Sequence, residues 1–203
     1  MGDVMMQNKG NIVFCGVGGQ GIILASEITA YALLKAGFDV KKSEVHGMAQ
    51  RGGSVVAHLR YGERVFSPLI ERGTADMLIS FELMESLRYF PYLNRESRVI
   101  VNTQKILPFS VATGKDQYPE RVLEAFSERG ISVFLVDVFK IAESLGELRV
   151  VNTIVVGALS IFLPLEEGQF VDVIRERVKK RFVDINIEAF KTGRGIISES
   201  VPV

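Results

Sequence analysis

Short blocks of apolar and polar residues alternate along the chain and predict an alternating order of strands and helices. The first block, residues 12–16, is apolar and predicts a buried strand. A largely apolar helix is predicted over residues 21–36, where Gly37 ends it. A second strand over residues 38–43 completes a strand–helix–strand unit, so the chain begins in a Rossmann-like way.

The next block, residues 54–61, alternates with a period of two and predicts a strand with one polar face. His58 lies on that face and is expected at a solvated or interface position. Gly62 and Glu63 form a turn signal, and residues 64–67 are predicted to return as the second strand of an antiparallel hairpin. The sheet is therefore predicted to be mixed.

The rest of the chain predicts three more strands and then only helices. The strands cover residues 77–80, 98–102 and 131–136. The helices cover a segment from Pro119 to a stop at Gly130, then residues 139–145, 153–163 with Asn152 as cap, 166–181, and 185–191 with a stop at Gly193. The predicted fold class is α/β, a three-layer α/β/α arrangement with a mixed, mostly parallel sheet and a helical C-terminal segment of about 50 residues. Because no repeat or linker interrupts the pattern, residues 1–203 are expected to form one domain.

Composition excludes several classes of function. The 24 Lys and Arg residues balance 24 Asp and Glu residues, so no net charge favours nucleic acid or an anionic membrane. The basic run at residues 175–181 is interpreted as a solvated helix face. The longest apolar stretch, residues 154–163, is about half of a membrane span, and no signal peptide is recognised, so a cytoplasmic protein is expected. The single cysteine, Cys15, cannot hold a metal cluster alone and is expected to be a small buried apolar residue.

The stretch GVGGQG follows the first strand and has the spacing of a dinucleotide-binding fingerprint. Its candidate site residues are Gly16, Gly18, Gly19, Gln20 and Gly21. The fingerprint requires an acid about twenty residues later, but Lys41 and Lys42 lie there, and Glu44 comes late. NAD chemistry is therefore disfavoured, and binding of a phosphate or carboxylate at the helix N-terminus is favoured. The alternative is a tight turn without any ligand.

A second unusual stretch, EVHGMAQRGG, lies between two predicted strands. Its paired glycines can expose backbone N–H groups, and Arg51 can donate two parallel hydrogen bonds to a phosphate or carboxylate. The candidate anion- or cofactor-binding residues are Gln50, Arg51, Gly52 and Gly53, and the candidate ligand or interface residues are Glu44, His46 and Met48. A rigid loop with an Arg51–Glu44 pair is the alternative. Because both stretches follow strands, they are predicted to lie side by side.

These two motifs and the ending NIEAFKTG, residues 186–193, resemble the gamma domain of 2-oxoacid:ferredoxin oxidoreductases, also called the pyruvate/ketoisovalerate oxidoreductase gamma family. The resemblance covers nearly the whole chain and is nearest to the indolepyruvate branch. It implies a three-layer α/β/α domain in a complex that converts an aryl 2-oxo acid, CoA and oxidised ferredoxin into aryl-acetyl-CoA, carbon dioxide and reduced ferredoxin. Other branches, acting on pyruvate, 2-oxoisovalerate or 2-oxoglutarate, stay open.

The resemblance also implies where the cofactors lie. The reaction needs thiamine diphosphate, magnesium and 4Fe-4S clusters, and the sequence has one cysteine and no recognisable thiamine diphosphate motif. These groups are therefore expected on a larger alpha subunit, with CoA as cosubstrate and ferredoxin reached through the complex. This chain is expected to carry no catalytic or metal-binding residue, to be inactive alone, and to form a homo-oligomer when isolated. A standalone nucleotide-binding protein and a purely structural interaction protein are the alternatives from other classes.

Overall fold

The computed structural model describes residues 8–46 and 52–199, in which strands and helices alternate. The strands are β1 (Gly10–Val17), β2 (Asp39–His46), β3 (Ser54–Gly62), β4 (Ala75–Ser80), β5 (Leu93–Asn102) and β6 (Ser132–Val136). The helices are α1 (Ile22–Lys35), α2 (Leu83–Arg88), α3 (Phe109–Ala112), α4 (Val122–Glu128), α5 (Val138–Ser144), α6 (Val151–Ser160), α7 (Glu167–Arg177) and α8 (Val183–Glu199). Short 3-10 turns lie at Phe90–Tyr92, Leu148–Val150 and Lys180–Phe182.

The strands form one sheet in the order β2-β3-β1-β4-β5-β6. The strands β1, β4, β5 and β6 pair in parallel, whereas β3 pairs antiparallel with both β1 and β2. The predicted mixed, mostly parallel sheet is confirmed. The predicted strand–helix–strand unit needs a correction, because β3 is inserted between β1 and β2.

The predicted hairpin after β3 is wrong, because residues 64–67 form no strand. Instead, β3 pairs with β1 along its length, from Tyr61 opposite Gly10 to Ser54 opposite Val17. The expected solvated position of His58 is also wrong. Its side chain is buried, and its Nδ1 accepts a hydrogen bond from the backbone N–H of Ile70 at 3.1 Å. Both faces of β3 are covered, which a simple alternating pattern does not reveal.

Two hydrophobic clusters cover the two faces of the sheet. One contains Phe14 of β1 and joins the sheet to α1, α6, α7 and α8. The other contains Val13 and Cys15 of β1 together with Phe126 of α4. Successive side chains of a strand point to opposite faces, so β1 contributes to both clusters. This arrangement confirms the predicted three-layer α/β/α architecture.

The last helix differs from its prediction for a reason of packing. Gly193 was expected to end it, but α8 continues to Glu199. A Cβ atom at Gly193 would lie 2.0 Å from the backbone oxygen of Ile154, and one at Gly157 would lie 2.0 Å from that of Phe190. The two glycines therefore allow the backbones of α6 and α8 to touch, and neither acts as a helix stop.

Two further boundaries differ in ways that matter for the site. Helix α6 begins at Val151, so Asn152 lies inside its first turn and is not its cap. Helix α7 ends at Arg177, and Val178 has extended backbone angles, so residues 175–181 do not form one helix face. Within residues 8–46 and 52–199, no helix is long and apolar enough to cross a membrane.

Candidate functional site

The first glycine-rich stretch forms the tight connection between β1 and α1. Gly19 and Gly21 have positive φ angles of 106° and 83°, a backbone conformation that favours glycine. Gly21 is the N-cap of α1 and, having no side chain, supplies no capping hydrogen bond to the first turn. The first N–H groups of an α-helix have no partner within the helix, and the helix dipole favours an anion at that position.

Gly16 and Gly19 occupy very different surroundings within this connection. Gly16 is buried, and a Cβ atom there would lie 2.8 Å from Cβ of Phe81, so this glycine is needed for packing. Gly19 is exposed, and a Cβ atom there would meet no atom within 4 Å. Gly16 is thus closed off by packing, whereas Gly19 is exposed.

The side chain of Gln20 holds the connection in place. Its Oε1 accepts a hydrogen bond from the backbone N–H of Val17 at 2.7 Å. Its Nε2 donates to the backbone oxygen of Phe81 at 2.7 Å and to Oε1 of Gln104 at 3.0 Å. Both polar atoms of Gln20 are therefore used inside the protein, which ties the end of β1 to Phe81 after β4 and to Gln104 after β5.

The second glycine-rich stretch lies directly beside the first. The backbone N–H of Gly18 donates to the oxygen of Gly53 at 2.8 Å, and the N–H of Gly52 donates to the oxygen of Gly18 at 3.4 Å. The predicted adjacency of the two stretches is confirmed for these three glycines. The candidate residues Met48, Gln50 and Arg51 lie outside the described residues, and so does the side chain of His46.

A buried carboxylate fixes the end of the second stretch. The hydroxyl of Ser54, the residue after Gly53, donates to Oε2 of Glu85, whose residue is 2% exposed. Nε of Arg88 donates to Oε1 of the same carboxylate at 3.0 Å. Glu85 lies in α2, so this helix positions the loop backbone. Sequence reasoning missed this role, although an acid inside the apolar stretch ISFELME is an unusual feature that signals it.

Asn152 is an unassigned donor beside the start of α1. It is 4% exposed, and its Cβ lies 3.0 Å from the position that a Cβ atom at Gly21 would take. Its Nδ2 is buried and has no hydrogen-bond partner among the residues that the structure describes. A buried donor without a partner costs about 1–3 kcal/mol, so its presence needs an explanation. A ligand oxygen at the N-terminus of α1 would provide one.

The strand that leads to the second stretch carries charges that pair with each other. The carboxylate of Glu44 forms an ion pair with Lys42 on β2, and Lys42 also lies 3.9 Å from a carboxylate oxygen of Glu27. In a dinucleotide fold, an acid at the tip of the strand next to β1 holds the ribose. Here β3 occupies that neighbouring position, so the geometry differs from that of an NAD site.

The cysteine near the site is not an activated nucleophile. Burial raises the pKa of the Cys15 thiol far above its ordinary value, and the thiol donates to the hydroxyl oxygen of Ser80 at 3.3 Å. A neutral thiol in this position is a packing group. In the described part of the chain, no group of three His, Cys, Asp or Glu residues is arranged to hold a metal ion. The edge formed by the two stretches instead offers backbone and amide donors to an oxygen-rich ligand.

Comparisons with known proteins agree with this fold. The family model described as pyruvate ferredoxin/flavodoxin oxidoreductase matches residues 11–196. The indolepyruvate oxidoreductase subunit IorB of Archaeoglobus fulgidus is 43% identical over 187 residues, which cover 90% of this chain and 92% of that relative.

Two solved structures share the fold. The gamma subunit of a keto/oxoacid ferredoxin oxidoreductase from Geobacter sulfurreducens has a TM-score of 0.71 at 21% identity and covers 94% of this chain and 99% of its own. The 2-oxoglutarate:ferredoxin oxidoreductase from Magnetococcus marinus, solved with 2-oxoglutarate, coenzyme A and succinyl-CoA bound, has a TM-score of 0.75 at 19% identity. That match covers 97% of this chain and 32% of the longer one. With a family match over most of its length and a close relative over nearly all of it, this chain belongs to the pyruvate ferredoxin/flavodoxin oxidoreductase family.

Proposed function

We propose that this chain is the small, gamma-type subunit of a 2-oxoacid:ferredoxin oxidoreductase of the indolepyruvate type. The complex would convert an aryl 2-oxo acid, CoA and oxidised ferredoxin into aryl-acetyl-CoA, carbon dioxide and reduced ferredoxin. The observation that carries the proposal is the pair of hydrogen-bonded glycine stretches at one sheet edge in a chain that is 43% identical to an indolepyruvate oxidoreductase subunit.

The chemistry at the reacting carbon belongs to a larger partner subunit in this proposal. Thiamine diphosphate with magnesium would stabilise the carbanion there, and 4Fe-4S clusters would take the electrons singly. Four cysteine thiolates are the usual ligands of such a cluster, whereas this chain has one cysteine, and its thiol is buried. These residues do not fit a cluster, so we assign no redox step to this chain.

The contribution of this chain would be to hold CoA at the edge where the partner docks. The backbone N–H groups at the start of α1 and the Nδ2 atom of Asn152 are donors suited to phosphate or carbonyl oxygens. Arg51 would add a fixed positive charge beside Gly52 and Gly53. The bound CoA in the structurally similar 2-oxoglutarate enzyme supports CoA as the cosubstrate.

Three broader expectations belong to the same proposal. Residues 1–203 would act as one domain, which is supported by two hydrophobic clusters that share a single sheet. The complex would work in the cytoplasm, where the Cys15 thiol stays reduced. Without its partner, the chain would associate with itself through exposed apolar side chains such as Phe66 and Phe109.

Co-expression with candidate larger subunits tests the proposal. We expect a stable complex that reduces ferredoxin in a CoA-dependent way, with higher kcat/KM for indolepyruvate and phenylpyruvate than for pyruvate, 2-oxoisovalerate or 2-oxoglutarate. A complex that prefers an aliphatic 2-oxo acid would overturn the indolepyruvate assignment. Failure to bind any thiamine- and iron–sulfur-containing subunit would overturn the subunit role itself.

A further inference from the structure

A cavity of about 260 Å³ lies outside the two glycine stretches. It is bounded by the first turn of α1, the start of α6, the end of α7 and the 3-10 turn at Lys180–Phe182. Its apolar wall includes Leu24, Val150 and Val178, and Phe182 also lines the cavity. Of these, Leu24 is 38% exposed, so the wall is open to solvent on the α1 side.

The rim of this cavity is basic. Arg149, Arg177 and Lys179 line it together with one acid, Glu147, so three cations against one carboxylate leave a formal charge of +2. Arg149 donates to both carboxylate oxygens of Glu147, at 2.8 and 2.5 Å, and this contact lowers the pKa of Glu147 to about 2. Glu147 therefore neutralises Arg149 and leaves the other two cations to face the cavity.

Arg177 and Lys179 have no acidic partner in the part of the chain that the structure describes. No carboxylate among the described residues lies within 4.0 Å of either cationic group, whereas Arg175 of the same run pairs with Asp172 at 3.3 Å. The guanidinium of Arg177 stacks on the ring of Tyr31, 3.4 Å from its centroid, which fixes its position without cancelling its charge. Arg177 is thus held in place, and neither Arg177 nor Lys179 is neutralised by a carboxylate of the described residues.

The chain conformation explains why two cations converge here. Because α7 ends at Arg177 and Val178 is extended, the chain turns at this point. The side chain of Val178 then lies against the cavity wall, and its two basic neighbours line the same cavity. The basic run, interpreted from sequence as a solvated helix face, here builds a concave surface with charge at its rim.

We propose that this cavity is a binding site for a small amphipathic anion, namely a phosphate or carboxylate attached to one ring or a short branched apolar group. The two uncompensated cations bind the anionic head, and the Leu24–Val150–Val178 wall takes the apolar part. A volume of about 260 Å³ is sufficient for a ligand of this size. The site uses none of the glycine-stretch residues, so it does not rest on the proposed function.

Phenyl phosphate is a suitable probe, because it joins one ring to one anionic head. We expect it to shift the methyl NMR signals of Leu24, Val150 and Val178 saturably in the full-length chain, and to bind about tenfold more tightly than inorganic phosphate or phenol. The affinity should fall as salt is raised, because the cations lie at a solvent-accessible rim.

Variants separate the two halves of the proposed site. The double variant Arg177→Gln, Lys179→Gln should weaken phenyl phosphate binding about tenfold or more. Leu24→Trp should narrow the apolar part of the cavity. It should therefore weaken the binding of phenyl phosphate and leave the binding of inorganic phosphate unchanged. Arg175→Gln is the matched control, since Arg175 lies on the same run, pairs with Asp172 at 3.3 Å and does not line the cavity.

Thermal melts of each variant show whether the fold is kept. Absence of saturable shifts at the three cavity methyls with phenyl phosphate at about 10 mM, a concentration that detects even weak sites, overturns the proposal. Equal loss of binding in the Arg175→Gln control also overturns it, because that result means diffuse attraction to a basic surface. NMR shifts that saturate only at residues outside the cavity also overturn the proposal.

Discussion

The crossing of α6 and α8 allows a sharp prediction, because a single methyl group cannot fit there. In Gly157→Ala, the added Cβ would lie 2.0 Å from the backbone oxygen of Phe190. Ordinary contact begins at 3.4 Å, so the two backbones would have to separate by about 1.4 Å. A flexible side chain could move away, but here the obstacle is the backbone of a buried helix.

The magnitude follows from two opposing contributions. Replacing glycine with alanine inside a helix stabilises it by about 1 kcal/mol. Overpacking a core costs about 1–3 kcal/mol and occasionally more, and a gap of 0.5–1 Å already removes a quarter to a half of the dispersion energy between the separated surfaces. Because the separated surfaces include buried residues such as Ile154, Ala189 and Phe190, we place the overpacking cost at about 3–4 kcal/mol, at or just above the top of that range. Subtracting the helix gain of about 1 kcal/mol leaves a net loss of about 2–3 kcal/mol in the free energy of unfolding.

Thermal and urea unfolding monitored by circular dichroism measure this loss. For a chain of this size, about 2–3 kcal/mol corresponds to a decrease in Tm of roughly 4–12 °C. Gly195→Ala is the matched control, because Gly195 lies in the same helix α8 and a Cβ atom there would meet nothing within 4 Å. The control should be as stable as the wild type or more stable, by up to about 1 kcal/mol.

The displacement of α6 in Gly157→Ala should also alter the candidate site. Helix α6 carries Asn152 against Gly21, so a shift of α6 changes the position of the Asn152 amide at the start of α1. If Gly157→Ala is as stable as Gly195→Ala, the close backbone contact is wrong, and with it the explanation of why α8 continues past Gly193.

Four further predictions follow from the described contacts. Burial lowers the pKa of His58 below its ordinary value of 6.5. As the pH falls through 6.5, His58 therefore binds a proton in the unfolded chain before it does so in the folded chain. The contribution of neutral His58 to the free energy of unfolding is complete above pH 6.5 and should decline below it, until the folded-state pKa is passed. Urea unfolding between pH 5 and 8 should show this decline in the wild type and in His46→Gln, but a flatter profile in His58→Asn, which keeps an acceptor for the backbone. Asn152→Ala should leave the free energy of unfolding unchanged or raise it, because a buried donor without a partner costs about 1–3 kcal/mol. The same substitution should weaken CoA binding by the complex. Clear destabilisation would mean that the Asn152 amide has a hydrogen-bond partner. The isolated chain should neither reduce NAD nor decarboxylate 2-oxo acids, and hydride transfer detected by absorbance with the pure chain would refute this. Light scattering should show that the isolated chain is an oligomer, and that the double variant Phe66→Ser, Phe109→Ser is shifted toward the monomer. A wild-type chain that stays monomeric at all concentrations would contradict this prediction.

The sequence predicts most of the fold because apolar periodicity reports burial. The strands β1 and β6, which carry continuous apolar runs, differ from their predicted bounds by one or two residues. β5 begins at Leu93, five residues before its predicted start, because its first half is polar. The errors fall where one residue type serves two purposes. Gly193 looks like a helix stop but serves helix contact, and Asn152 looks like a cap but lies inside a helix. Only the neighbouring element decides between these roles.

The candidate site was predicted in part for a similar reason. The glycine spacing indicates a tight turn after a strand, and topology then brings Gly18 beside Gly53. The supports of the two loops come from distant positions in sequence, namely Glu85 behind Ser54 and Gln104 beside Gln20. No local pattern links such pairs, because a single hydrogen bond across dozens of residues leaves no periodicity in the chain.

The most direct test of the central claim is a kinetic measurement on the reconstituted complex with substitutions in each glycine stretch. Gly18→Leu should keep a ligand from approaching the backbone beside Gly53, and Arg51→Ala removes the proposed positive charge. The control is Arg72→Ala, because Arg72 precedes β4 at the opposite end of the sheet. We predict that both site variants fold with an unchanged Tm but either fail to assemble or show a raised KM for CoA. The loss of a charge-assisted contact should raise KM about tenfold, while the control variant should behave as wild type. If both site variants assemble and turn over with wild-type kcat and KM for CoA, the two stretches do not form the functional edge of this subunit.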